Sequence, residues 1–216
     1  GDTGLGKTAF YQYLIVRLQN IKTLFLSLEV DDITMTRRFL QAALKMTKME
    51  VISALKNKDQ DIIDKAMKGI EHIQLETTCP DIDNLASVVS ESGAKIVVVD
   101  TIDRVKAKYA GKDDFARQEI IANGLKDLAM KEDVMVLAVH HISKSASYNF
   151  KETNTLDVHS GKGNSAIEQK SDQYIAFQGK EQSKSRVVRS LKARDESMFE
   201  MLLSYNWETF TFDKRN

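Results

Sequence analysis

The chain opens Gly1-Asp2-Thr3-Gly4-Leu5-Gly6-Lys7-Thr8: two glycines, a lysine and a threonine at the spacing G-x-x-x-x-G-K-[ST]. Glycines at those positions let successive backbone N–H groups close around phosphate oxygens. Lys7 then supplies a cation for the β- and γ-phosphates and Thr8 a hydroxyl for Mg²⁺, while the following helix presents its positive end. Gly1, Asp2, Thr3, Gly4, Leu5, Gly6, Lys7, Thr8 and Ala9 are therefore the candidate nucleotide-binding residues, with ATP or another nucleoside triphosphate as ligand and Mg²⁺ as metal. Chance yields the pattern at roughly 4 positions in 100,000 at ordinary residue frequencies, so a glycine-rich helix cap is the weaker account.

A metal held by a threonine hydroxyl needs a carboxylate from a neighbouring strand tip. Lys95–Asp100 (KIVVVD) is an apolar run ending in Asp100. Such a run is common by itself, and only beside a phosphate loop does it point to a metal ligand. Hydrolysis further needs a group that orients water, and Glu29 closes the otherwise apolar LFLSLEV. A carboxylate at the carboxyl edge of such a strand faces the ligand crevice, whereas the plainer reading is a solvated strand end. Met135–His141 ends in His140-His141, whose side chains leave a strand on opposite faces and so cannot readily chelate one metal. One of the pair is a candidate γ-phosphate contact and the other a packed or capping histidine. In Ser185–Arg194 (SRVVRSLKAR), Lys192 and Arg194 lie two apart and project to one side of a strand. They are either a solvated edge or a pair of cations offered to a phosphate in an adjacent subunit.

The elements that must carry these residues alternate between helical and strand periods, which predicts an α/β domain around a mostly parallel, twisted sheet flanked by helices. Strands are expected at Thr23–Leu28, Ile73–Glu76, Lys95–Asp100, Met135–His140, Gln173–Gln178, Arg186–Lys192, Phe199–Ser204 and Thr209–Phe212. Helices are expected at Ala9–Leu18, Asp31–Met46, Asp59–Gly69 (ending on its glycine), Ile82–Glu91 after Pro80, and Asp114–Lys131. The late strands follow one another without long helices, so the sheet should end in an antiparallel section. Lys106–Asp113 and the long polar Ser143–Asn164 read as loops, the second of a length that usually serves function. No strand precedes the phosphate loop, so the chain reads as a single motor-sized domain over 1–216 truncated at its N-terminus.

Bulk composition narrows the partners. The 216 residues are 42% hydrophobic and 29% charged, which fits a globular domain with a full core. Lys+Arg and Asp+Glu both total 31, so no global basic field advertises nucleic acid and any such contact must come from local patches. Cys79 is the single cysteine, which excludes an intrachain disulfide and fits a reducing compartment, with the cytoplasm expected. Four histidines spread along the chain offer no zinc spacing, and no apolar run is long enough to span a membrane.

Taken together, the blocks resemble the RecA-type ATPase core of DnaB-like replicative helicases, including the phage primase–helicases. SLEVDDITMTRRFL (Ser27–Leu40) is similar to that family's catalytic-glutamate block, and VVVDTIDRV (Val97–Val105) to its magnesium-side block. RQEIIANGLKDLAMKEDVMVLAVHH (Arg117–His141) resembles the helix and strand carrying the γ-phosphate sensor, where the phage branch has histidine and His141 takes the position. SGKGNSAIEQKSDQYIAF (Ser160–Phe177) resembles the block with the central-channel DNA loop, and LKAR (Leu191–Arg194) the segment with the arginine finger.

The resemblance implies that Lys7, Thr8, Glu29, Asp100 and His141 act from one subunit. Arg194, with Lys192 beside it, would act on the neighbour's nucleotide in a homo-oligomeric, hexameric ring. It also implies single-stranded DNA as partner, contacted by Lys162, Gly163, Asn164 and Ser165. Here the family's usual basic residue before the glycine turn is replaced by His159-Ser160, and Lys162 supplies the charge instead. Family members carry an amino-terminal primase or helical-collar domain, which makes primase a candidate partner. A RecA/RadA-like recombinase or related RecA-fold ATPase would share the same fold and site, and a non-catalytic nucleotide-binding module is the third reading.

Overall fold

The computed structural model describes residues 4–78, 81–108, 113–142, 156, 158–160, 165–180 and 183–215. In chain order its elements are α1 (Lys7–Arg17), β1 (Thr23–Ser27), α2 (Asp32–Leu44), α3 (Lys48–Lys56), α4 (Gln60–Ile70), β2 (Ile73–Glu76), α5 (Leu85–Ser92), β3 (Ile96–Asp100), α6 (Asp114–Lys131), β4 (Met135–Ala138), α7 (Ala166–Lys170), β5 (Gln173–Gly179), β6 (Ser185–Ala193), β7 (Glu200–Asn206) and β8 (Thr211–Lys214). Short 3-10 turns occupy Ile82–Asn84, Ile102–Arg104 and Val158–Ser160.

The first four strands form a parallel sheet in the order β2-β1-β3-β4. Every residue of β1 and β3 is buried, as expected of central parallel strands covered on both faces. Alternate side chains then serve two cores. Leu24, Leu26, Val97 and Val99 meet Leu85 and Val89 of α5 and Ile121, Leu125 and Leu128 of α6. Phe25, Ile96 and Val98 turn the other way onto Ile15 and Val16 of α1 and Met35 and Phe39 of α2. Each fully buried side chain of this kind contributes about 1.5–3 kcal/mol. The register sets Ser27 beside Asp100 and Val99 beside Ala138, so the carboxyl ends of β1, β3 and β4 finish at one edge.

Four further strands, β5-β6-β7-β8, pair antiparallel. They make a sheet of their own rather than an extension of the parallel one. The reason is an aromatic core: Phe177, Val188, Leu203, Tyr205 and Phe212 pack on Leu5 and Ala9, with Phe10 of α1 at 5.4 Å from Phe177 and 5.5 Å from Phe212. The second sheet therefore leans on the phosphate loop and α1.

Element ends follow local chemistry. Asp31, Asp59 and Asp113 cap α2, α4 and α6, their carboxylates accepting backbone N–H groups of the first turn. Helix α3 is an addition to the elements expected from periodicity, although Thr47 and Glu50 form a reciprocal capping box at its start. Helix α4 runs past Gly69 to Ile70: a Cβ on Gly69 would sit 3.0 Å from that of Ala43, so the glycine lets α2 and α4 approach instead of ending the helix. The helix expected from Ile82 starts as a 3-10 turn and becomes α-helical only at Leu85. Strand β4 stops at Ala138, short of both histidines.

Candidate nucleotide site

The loop Gly4–Gly6 turns into α1 through two left-handed glycines, Gly4 at φ 76° and Gly6 at φ 94°. Only glycine takes this conformation without steric cost, which is why the spacing demands it there. Phe10 N–H closes the first helical turn onto Gly6 O at 2.8 Å. Leu5 and Ala9 are buried, while Lys7 and Thr8 are partly exposed at the helix start. Gly1, Asp2 and Thr3 lie outside the described residues.

Asp100 ends β3 and is 2% exposed. Burial pushes its carboxyl above the ordinary value and Glu29 adds to the rise, whereas a hydrogen bond from Thr8 and the charges of Lys7 and His141 pull it back. Thr8, Glu29, Lys7 and His141 thus all lie within electrostatic reach of this one carboxylate. Its Oδ1 is buried and takes no hydrogen bond among the described residues. A desolvated carboxylate oxygen next to a threonine hydroxyl is an all-oxygen pair that fits Mg²⁺. Beneath it, burial and then Asp100 push the Tyr11 hydroxyl up to about 12, so that ring stays a neutral phenol.

Glu29 stands two residues beyond the end of β1, where Leu28 N–H donates to Asp100 O at 2.7 Å. Its Oε1 accepts from Thr101 Oγ1 at 3.0 Å, with His141 Nε2 at 3.4 Å and Arg104 Nε at 3.9 Å from the same oxygen. None of these three contacts uses Oε2. The two histidines divide as strand geometry requires. His141 faces Glu29, and His140 is nearly buried with Nδ1 3.7 Å from Asp103 Oδ2. Residue type and spacing do not single out Thr101 and Arg104, although both fall in the block around Asp100.

Lys192 and Arg194 share one side, but not this cluster. Lys192 Nζ donates to the carbonyls of Glu168, Gln169 and Ser171 at 2.5, 3.1 and 2.8 Å, around the C-terminal end of α7. Arg194 Nη2 donates to Gln169 O at 2.8 Å, and its Nη1 lies 3.4 Å from Asp172 Oδ1, a carboxylate also held by Lys126. Within one chain both cations therefore brace α7. Ser165 immediately precedes α7 and its hydroxyl accepts from Gln169 Nε2 at 2.8 Å, while Lys162, Gly163 and Asn164 lie outside the described residues.

A family model described as AAA domain matches residues 1–147. The chain belongs to that family. No curated protein matches it by sequence. Among solved structures, the ATPase domain of a helicase superposes with a TM-score of 0.85 at 17% identity, covering all of this chain and 82% of that one. A second, a DnaB-like replicative helicase described together with its interactions with primase, gives a TM-score of 0.86 at 18% identity. There the match covers 98% of this chain and 56% of the helicase chain. At such identities the likeness is one of fold: a parallel sheet between helices, followed by an antiparallel sheet, as in the ATPase domains of DnaB-like helicases. The chain is thus an ATPase-type domain of RecA-like architecture. Among its described residues no helix is long and apolar enough to cross a membrane, and no group of three or more His, Cys, Asp and Glu side chains could hold a metal.

Proposed function

We propose that the chain is the ATP-driven motor of a replicative DNA helicase, hydrolysing nucleotide at subunit interfaces of a hexameric ring and moving on single-stranded DNA. The observation that carries the reading is the convergence of Thr8, Lys7, Glu29 and His141 on Asp100 at the carboxyl edge of the parallel sheet. The likeness of the whole chain to helicase ATPase domains supports it.

In this reading Lys7 and the N-terminus of α1 neutralise the β- and γ-phosphates. Mg²⁺, which would be held by the Thr8 hydroxyl and the Asp100 carboxylate, supplies further charge neutralisation when bound. Glu29 orients the attacking water and takes its proton at Oε2, while Thr101 and His141 fix the carboxylate through Oε1. His141 links that carboxylate to the γ-phosphate. Arg194, almost half exposed, reaches the nucleotide of the neighbouring subunit, with Lys192 holding the strand end beside it. Lys162, Gly163, Asn164 and Ser165 contact the DNA backbone. Primase is a partner, as it is for the DnaB-like helicase that this chain resembles in fold.

The test is ATP hydrolysis with and without single-stranded DNA, together with unwinding of a forked duplex, by the full-length protein. DNA-stimulated hydrolysis with unwinding is the expected result. Strand exchange by a filament without unwinding would instead favour the recombinase reading, and absence of hydrolysis in assembled rings would favour a binding module.

A further inference from the structure

Arg186 is the largest fully buried side chain among the described residues, at 0% exposure, and no carboxylate among those residues pairs with it. A buried guanidinium without a counter-charge is expensive unless every N–H finds a partner, so its position calls for a purpose. It lies on β6 and spans from the second sheet to the phosphate loop. Its Nε donates to Leu5 O at 2.6 Å, and Nη1 donates to Lys180 O at 3.2 Å, to Ser185 O at 2.8 Å and to Ser183 O. Its planar face rests on two rings, with Trp207 at 4.9 Å and Tyr205 at 5.6 Å from the guanidinium carbon. Tyr205 also backs the loop directly, since a Cβ on Gly6 would fall 3.0 Å from its Cε1. Gly179 leaves room for the arginine stem: a Cβ there would stand 2.8 Å from Arg186 Cδ.

We infer that Arg186 is a positioning residue for nucleotide binding, setting the peptide plane of the phosphate loop from behind. In a trans peptide the C=O of one residue and the N–H of the next point in opposite directions. Anchoring Leu5 C=O on Arg186 therefore turns Gly6 N–H towards the opposite side, where it donates to phosphate. The buried cation adds a fixed positive field behind an anion, at a depth where solvent screens little. Arg186 touches no reacting atom, so its effect belongs to affinity and not to the chemical step. This rests on the reading of residues 1–8 as a phosphate loop.

The experiment measures the Kd of ADP by calorimetry and ATP turnover at saturation, on the full chain below each variant's melting temperature. Arg186→Met keeps the stem and loses charge and fork; Arg186→Lys keeps charge and loses the fork; Lys7→Ala is the control. Arg186→Met should weaken ADP about tenfold or more and Arg186→Lys by about three- to tenfold, with kcat within about threefold of wild type. Should Arg186→Met fail to fold, Arg186→Lys decides alone. Wild-type ADP affinity in folded Arg186→Lys, or a loss confined to kcat, overturns the inference. If Lys7→Ala loses ADP while Arg186→Lys keeps it, only the inference falls. If wild type does not bind ADP, or Lys7→Ala binds it normally, the loop reading falls and the inference with it.

Discussion

Arg194→Ala separates what this residue does inside its own chain from what it does for a neighbour. Inside the chain it forms one hydrogen bond of 2.8 Å to Gln169 O and a longer contact of 3.4 Å to Asp172, on a side chain 46% exposed. Partly solvated contacts of this kind are worth about 0.5–1.5 kcal/mol together. At this chain length that corresponds to a fall in Tm of about 2–6 °C. A cation stabilising charge in the neighbour's transition state is worth far more, about a thousandfold in kcat or roughly 4 kcal/mol. The variant should therefore melt nearly as wild type and bind ATP, yet hydrolyse it at about a thousandth of the rate. Mixing sharpens the test. Lys7→Ala subunits lack a working loop but keep Arg194, and Arg194→Ala subunits are the reverse. Random one-to-one assembly juxtaposes an intact loop with an intact Arg194 at about one interface in four, so two inactive proteins should recover up to about a quarter of wild-type turnover. Mixed rings no more active than either variant alone would refute the trans role.

Asp100→Asn should raise the Tm of nucleotide- and metal-free protein at neutral pH while abolishing Mg²⁺-dependent turnover. Burial lifts the carboxyl above 3.8, so the folded state holds its proton more tightly than the unfolded chain and stability falls as pH rises through the raised value. Melts across pH should show the variant's gain shrinking as pH is lowered towards 3.8, and a variant less stable than wild type at neutral pH would contradict the burial argument. Thr101→Val removes the donor 3.0 Å from Glu29 at nearly constant volume, and kcat should fall about tenfold with ATP affinity unchanged; unaltered kcat would dissociate Thr101 from Glu29 function. Gly124→Val in α6 would drive a Cβ to 3.0 Å from Ile82 Cδ1 and closer still to Cγ1, costing about 2–3 kcal/mol by overpacking. Thermal melts should show a Tm lower by about 5 °C or more, and an unchanged Tm would mean that Ile82 has room to yield.

Much of the fold is legible in the sequence because it is written locally. Strand Ile73–Glu76 and helix Asp114–Lys131 stand where apolar periodicity puts them, and the acidic residues before α2, α4 and α6 cap those helices. Helix α3 is legible too, through Thr47 and Glu50, but its apolar stripe is short and buries only Val51 and Ala54, so hydrophobic pattern alone passes over it. The end of α4 differs from expectation because glycine has two uses. At Gly93 it ends α5 in a left-handed turn, whereas at Gly69 it admits Ala43. Only the neighbouring helix distinguishes the two.

For the site, residue type and spacing determined which groups could act: glycines that tolerate positive φ before Lys7 and Thr8, and acids and histidines at the ends of apolar runs. Tertiary structure decided which of them meet. Parallel register brings the ends of β1, β3 and β4 to one edge, so Glu29, Asp100 and His141, far apart along the chain, share one patch, while His140 turns to Asp103. It also turned Lys192 and Arg194 onto α7 and drew Arg186 beneath the phosphate loop. An arginine on the buried face of a strand is visible as an oddity in SRVVRSLKAR, but not what it holds, because a side chain's partners depend on long-range packing that no local pattern encodes.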